Sequence, residues 1–354
     1  MPNIGEYNGK KFNPQVFDKY VERIPSVGKA ELIKNGVYDV KTKYKALMTS
    51  QDGGDYIVTP IKGLLDGEVQ NYDGIETMIP TSQKTYFQGK PVFGRMKAWA
   101  EKDFATELTG VDWIKDIAGE VAGYYEGVEQ QDLLAILEGI FKMDTADQGN
   151  KDFVENHVTD VTEVGDGLVG ASSLNNAVQK AMGVNKGAIN LAFLRSEVAT
   201  NLENLQLLNY FLYNDANGIQ RQLNIGTWNG RTVIVDDNLP TETGTDEDGE
   251  FTKYTSYLLG RGAFEYENVG VRVPSEVDRD PATNGGIDLL YTRRRMLIAP
   301  KWISYTKKVQ ATSSATKEEL ANGQNWELVH DNATEGRSYV NHKAIPIVKL
   351  ISRG

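Results

Sequence analysis

Between Asp112 and Lys142 the apolar residues Ile114, Ile117, Val121, Tyr124, Val128, Leu133, Leu137, Ile140 and Phe141 recur at close to helical spacing, with acids between them. The spacing predicts one helix over 112–142, roughly 45 Å long at 1.5 Å per residue. Asp112 is the expected N-cap after Gly110, and Asp116 and Glu120 suit the positive end of the helix dipole. Gly119, Gly123, Gly127 and Gly139 each weaken such a helix by up to about 1 kcal/mol relative to alanine. The first three repeat every fourth residue and leave a flat stripe where another backbone can approach, as on a spine against which other elements lean.

The flanking segments follow other periods. Residues 1–55 read as an arm: short helical pieces over Pro14–Val21 and Lys29–Asn35, among polar turns with little to pack against. Residues 56–100 read as a β-hairpin that opens with YIVTPI and returns through TYFQGKPVFGRMKAW, where Gly89, Pro91 and Gly94 predict a twisted or edge-like strand. Residues 143–170 are polar and rich in Gly and Asp, with HVTDVTEV alternating as a strand does. From 172 the pattern becomes α/β: a helix over Leu174–Met182, a strand in GAINLAFL and a helix over SEVATNLENLQLLNYF. A strand pair in TWNGRTVIVDDNLP follows, with an Asn-Gly turn. TETGTDEDGEFTKY reads as an exposed acidic loop, and GGIDLLYTRRRMLIAPKWISYTKK as strand. The tail holds a short helix in SATKEELANG and an edge strand in AIPIVKLI.

Composition narrows the class. At 354 residues, 40% apolar and 25% charged, the chain has the makings of a folded core. No run reaches the roughly 18–20 apolar residues of a membrane span. The opening MPNIGEYNGKK has no apolar stretch after its first charges, so no signal peptide is expected. With no cysteine, disulfides and thiolate metal sites are excluded. The net charge of −11 argues against general nucleic-acid gripping, and it is unevenly spread. Residues 1–50 carry nine Lys/Arg against five Asp/Glu, whereas residues 101–170 carry seventeen acids against four bases. Two readings fit: a solvated acidic face, or an acidic surface that receives the basic arm of a neighbouring copy.

Catalytic chemistry is hard to find. His157, His330 and His342 lie far apart in sequence and form no HExxH pair, and there is no nucleophile elbow, Walker loop or dinucleotide fingerprint. GRGAF at 260–264 reads as a turn. Asp144–Glu155 matches a calcium loop at its first, sixth and twelfth positions, but Ala146 and Gln148 stand where oxygen ligands are expected to be acidic or amide at the third and fifth. The acid pairs Asp236/Asp237 and Asp246/Asp248 sit in turn chemistry without partners. No catalytic, cofactor-binding or metal residue is therefore assigned. Arg293–Arg295 inside a strand implies either a solvated edge or acids met across a subunit boundary, the second being preferred. Tyr86, Phe87 and Trp99 would be exposed if the hairpin stood alone, which marks an interaction surface.

The order of these parts resembles the major capsid proteins of tailed bacteriophages with the Hong Kong 97-type fold. DYIVTPIKGLLDGEVQNYDG and TYFQGKPVFGRMKAWAEKDFATELTGVDWIKDIAGEVAGYY are similar to that family's extended loop and spine helix, with LLAILEGIF at the helix end. WNGRTVIVDDNLP, SYLLGRGAFEYE, IDLLYTRRRMLIAPKWISYT and QNWELV resemble later parts. The likeness implies an α+β fold with an N-terminal arm (1–55), an extended hairpin loop (56–100), a peripheral domain (101–165, spine helix 112–142) with a return strand (289–310), and an axial α/β domain (166–288). Residues 311–354 would form a C-terminal extension beyond the core fold. It implies a non-enzymatic shell subunit, needing no cofactor, in hexamers and pentamers around double-stranded DNA bound without sequence specificity. The implied location is the virion capsid, assembled in the bacterial host cytoplasm without a membrane. A separate scaffolding protein, a portal and a decoration protein are the further partners expected, since no long helical scaffold segment opens the chain. Relatives that crosslink Lys to Asn place the lysine in this hairpin, where Lys84 and Lys90 stand, but no motif names a reacting partner. The alternatives are an encapsulin-type nanocompartment shell and a metal-dependent α/β enzyme using the acidic 236–250 loop.

Overall fold

The structure is a computed structural model that describes residues 5–7, 10–12 and 36–353, except 51–54, 64, 66–68, 73–76, 79, 81, 110–112, 215–219, 247–248, 332 and 334–335. The chain runs through β1 (Gly5–Tyr7), β2 (Lys10–Phe12), β3 (Tyr38–Val40), α1 (Lys43–Ser50), β4 (Tyr56–Lys62) and β5 (Thr85–Lys102). Next come α2 (Asp103–Thr109), α3 (Trp113–Phe141), α4 (Gln148–His157), β6 (Val158–Asp160), α5 (Ser173–Met182), β7 (Ile189–Leu194) and α6 (Ser196–Asn204). Strands β8 (Asn209–Asn214), β9 (Gln220–Trp228), β10 (Arg231–Val235), β11 (Thr241–Asp246), β12 (Gly249–Gly260) and β13 (Phe264–Asn268) follow. The chain ends through β14 (Ser275–Asp280), β15 (Ile287–Pro300), β16 (Ile303–Tyr305), α7 (Lys317–Ala321), β17 (Trp326–Leu328) and β18 (Ile347–Ser352).

Two mixed sheets share the long helix α3. One runs β3-β13-β15-β5-β4 with β14 beside β15; the other runs β6-β18-β12-β7-β10-β9-β8 with β11 beside β12. The apolar run at the end of α3 (Leu133, Ile136, Leu137, Ile140) shares a single core with Phe93 and Ile298 of one sheet and Phe193 and Leu259 of the other. Each such buried side chain contributes about 1.5–3 kcal/mol, which outweighs the glycine cost within the helix. On the far face of the second sheet, α5 and α6 bury Leu174, Val178, Val198 and Leu202 against Trp228, Val348 and Leu350. A third, small core around Tyr44, Ile57, Val92 and Leu297 lies under α1. Gly139 shows how tightly the end of α3 is covered: a Cβ there would meet the Leu320 carbonyl oxygen at 2.2 Å.

Several expectations change. The helix of 112–142 forms as Trp113–Phe141, with its expected N-cap Asp112 outside the described residues. The arm's helical pieces over 14–21 and 29–35 also lie outside them. Residues 36–50, part of the arm expected to have little to pack against, fasten to this chain: Glu267 accepts hydrogen bonds from the backbone N–H groups of Tyr44 (2.8 Å) and Lys45 (2.6 Å), capping α1. The 196–211 helix stops at Asn204, where Gln206 turns at φ 55°, and the aromatic stretch beyond it becomes β8. The acidic loop after 240 is instead a hairpin, β11 pairing antiparallel with β12, because its Thr and Glu alternate along the strands. The final strand is interior, with β6 and β12 as neighbours. Residues 311–354 do not trail away from the body: Leu320, Trp326, Leu328, Ile345 and Ile347 belong to the central core. Only 158–160 of HVTDVTEV form strand. The Asn229-Gly230 turn forms with both φ positive, at 49° and 75°, as a two-residue hairpin turn requires.

Candidate assembly surfaces

The hairpin is anchored at one end and uncovered at the other. Residues 56–62 pair with 85–91, and the second half of β5 pairs with β15, so each half of β5 has one strand neighbour in these ladders. At the base, Gln88 donates to the carbonyls of Pro300 (2.8 Å) and Ile303 (2.9 Å), and the Tyr56 hydroxyl donates to the Tyr305 carbonyl (2.6 Å). Gly89 is required there, since a Cβ would sit 1.7 Å from the Tyr56 hydroxyl oxygen. At the tip, Leu65, Val69, Tyr72 and Met78 are 84%, 99%, 93% and 81% exposed. Of the aromatics expected to stand out, Phe87 is exposed, while Tyr86 and Trp99 are half-buried, Trp99 edge-on to Tyr124. Of the two lysines singled out in the hairpin, Lys90 is buried against Tyr44 and Glu265, and the Lys84 ammonium lies 3.3 Å from the Ser338 hydroxyl.

The middle of α3 is a polar clamp. Asp132 is buried and receives Arg95 at 2.8 Å, whose guanidinium also donates to the Ala315 carbonyl. Glu129 faces Arg294 at 3.4 Å and accepts from the Tyr266 hydroxyl at 3.2 Å, while the Arg294 guanidinium lies over the Tyr125 ring. Gln130 donates to Asp236 and so ties the helix to the turn after β10. Burial pushes the carboxyls of Glu129 and Asp132 up, with the arginines opposing it. Arg294 thus meets its acid within the chain, and Arg293 meets Glu276 at 3.3 Å, so the expected cross-subunit pairing of these two is corrected; β15 is an interior strand. The signal for the clamp was in the sequence, as Glu129-Gln130-Gln131-Asp132 puts four polar residues in a row just before the apolar end of the helix. On the N-terminal half, Gly123 and Gly127 of the glycine stripe have nothing within 4 Å of a built Cβ, whereas Gly139 is filled by this chain.

The residues weighed for chemistry have structural partners. Asp236 accepts from Asn238 and Gln130, Asp237 from the Ser196 backbone, and Asp246 pairs with Arg353 at 2.5 Å; Asp248 is outside the described residues. The calcium-like stretch is mostly helix, with Asp147 capping α4 through the Gly149 N–H. GRGAF is the turn between β12 and β13, with Gly262 at φ 68°. Contrary to their separation in sequence, His157 and His342 meet, Nε2 to Nδ1, at 3.1 Å. Among the described residues no group of three or more His, Asp or Glu is placed to hold a metal, and no helix is long and apolar enough to cross a membrane.

No protein-family model matches the chain. Over 319 residues it is 29% identical to the major capsid protein of Bacillus phage SPP1, an alignment that covers 90% of this chain and 92% of that one. Among solved structures it is similar to the capsid asymmetric unit of cyanophage Pam1, at TM-score 0.58 and 10% identity with 100% of each chain covered. It is also similar to the acid-stable capsid of Helicobacter pylori bacteriophage KHP30, at TM-score 0.52 and 10% identity over 94% of each chain. The chain has the Hong Kong 97-type capsid fold of tailed phages. A third likeness, to the capsid of Ralstonia phage GP4, has TM-score 0.52 and 12% identity over 75% of this chain and 83% of that one. On this capsid fold the exposed apolar tip and the open face of α3 are surfaces that a shell of many copies can cover, whereas an isolated subunit leaves them in water.

Proposed function

We propose that the chain is the major capsid protein of a tailed bacteriophage, assembling with copies of itself as hexamers and pentamers of an icosahedral head around double-stranded DNA. The observation that carries this reading is the near end-to-end match to the SPP1 major capsid protein, on a chain with the capsid fold. In this reading residues 1–55 are the arm and 56–100 the extended loop. Residues 101–165 and 289–310 form the peripheral domain and 166–288 the axial domain, while 311–354 close the core around α3. The hairpin tip lies over a neighbouring subunit, where Leu65, Val69, Tyr72 and Met78 leave water. The subunit acts through these contacts and not as an enzyme. A separate scaffolding protein and a portal serve assembly, and the head forms in the bacterial cytoplasm.

The acidic stretch 101–170 suits an inner surface, because carboxylates repel phosphate and leave DNA free to slide. Glu129 and Asp132 do not take part, being paired inside the subunit. The nanocompartment and enzyme alternatives gain no support: the curated relative is a phage major capsid protein, and in the acidic 236–250 segment Asp236, Asp237, Glu242 and Asp246 are each held by partners within the chain. The test is electron microscopy of the purified protein, expressed with and without its scaffolding partner. Closed shells are expected, and a protein that stays monomeric under both conditions contradicts the reading.

A further inference from the structure

The junction between the two larger cores carries a pair of histidines that the shell reading does not use. His157, fully buried, ends α4 and stacks on Phe153 at a ring distance of 4.4 Å; Phe153 belongs to the core around α3. His342 stands half-buried in the turn His342–Ala344, just before β18, and that turn packs on α5, whose Ala181 belongs to the core under α5 and α6. His157 Nδ1 meets the Ile347 carbonyl at 2.7 Å, and its Nε2 meets His342 Nδ1 at 3.1 Å. The Ile347 carbonyl, His157 and His342 therefore form a relay from the core around α3 to the turn that packs on α5.

Hydrogen counting sets what this relay tolerates. A carbonyl only accepts, so the His157 nitrogen facing Ile347 carries a hydrogen. With both rings neutral, the hydrogen between the rings comes from His342, because the second nitrogen of His157 can only accept. One added proton is tolerated, since the contact still joins one N–H to one lone pair whichever ring is charged. A second added proton puts N–H against N–H across the 3.1 Å contact, with two charged rings in a buried site.

We propose that the His157–His342 pair is an acid-operated latch between the two cores, closed with no more than one added proton and opened by the second. Burial is the largest influence on both rings and disfavours their charging. Lys180 of α5 acts against a proton on His157 and Lys343 against one on His342, while Asp152 of α4 favours charging of His342. The released segment is the turn at 342–344 and the start of β18, which is held on its other side by β12. The junction, not either core, is the first part of the subunit to yield as the pH falls.

The test is amide hydrogen exchange, corrected for intrinsic pH dependence, on the full-length protein and on His342→Asn, between pH 7.5 and 4. In the wild type, protection of 345–350 falls about tenfold or more across this range, the equivalent of one pK unit, while Leu133–Phe141 and Leu174–Met182 stay protected. In His342→Asn, which cannot take a proton at that position, the fall moves to lower pH. An identical pH profile in both proteins, or loss of all segments together, overturns the latch. Should the variant fold poorly, histidine ring NMR of the wild type decides: two coupled titrations, one of them far below the ordinary histidine range, support it, and two independent ordinary titrations overturn it.

Discussion

The two ends of the β4–β5 hairpin are built on opposite principles. At the base, Gln88 to Phe93 are all buried, and hydrogen bonds from Tyr56, Gln88 and Gly89 tie the strand to residues 300–305. At the tip, four large apolar side chains stand more than four-fifths in water. The long helix α3 repeats the contrast, with Gly139 filled by this chain's own 320–326 segment and Gly123 and Gly127 open. In the proposed function the surfaces that the subunit leaves unfinished are the ones its copies cover, since exposed apolar area of this kind is otherwise a liability for solubility.

The comparison breaks most sharply at the tip. Replacing Leu65, Val69, Tyr72 and Met78 together with Ser is expected to abolish shells while leaving the subunit's thermal midpoint within a few degrees, checked by electron microscopy and calorimetry on one sample. The base responds in the other way. Arg95→Met leaves Asp132 buried without its partner and is expected to cost about 3–5 kcal/mol in urea unfolding at neutral pH. Part of that loss should return at pH 5, because burial already holds the Asp132 pKa up and the lone carboxyl takes a proton more readily.

Legibility in the sequence divides along the same line. The helix at 113–141, the Asn229-Gly230 turn and the two hairpin strands were readable because periodicity and turn chemistry are local. The interior place of β18 was not, since its neighbours β6 and β12 lie about 190 and 95 residues away and alternation alone does not reveal them. The β11–β12 hairpin was masked by its acids and glycines, which depress strand propensity. The clamp of Arg95, Asp132, Glu129 and Arg294 joins residues distant in sequence, so charge was visible while pairing was not. The arm at 36–50 is held by Glu265 and Glu267, again beyond local reach.

A smaller effect separates the core junction from the surface. Burial holds the His157 pKa down at about 4, below its unfolded value near 6.5. The unfolded chain then binds the proton first, so stability is flat above pH 6.5 and falls by about 3 kcal/mol as the pH drops to 4. His157→Gln should flatten that part of a stability-against-pH curve, whatever its effect at neutral pH. The smallest expected change is Arg293→Ala, which removes an exposed pair with Glu276 and should shift stability by less than about 1 kcal/mol; a loss as large as that of Arg95→Met would mean that buried and exposed pairs are not distinguished as described.

The most direct measurement is side-chain footprinting of residues 63–84 by hydroxyl radicals, on isolated subunits and on purified shells of the same protein. Leu65, Val69, Tyr72 and Met78 should react readily in the subunit and be protected in the shell, while Phe93 and Trp326 stay protected in both. Equal reactivity of the tip in subunit and shell would contradict the claim that neighbouring copies cover it.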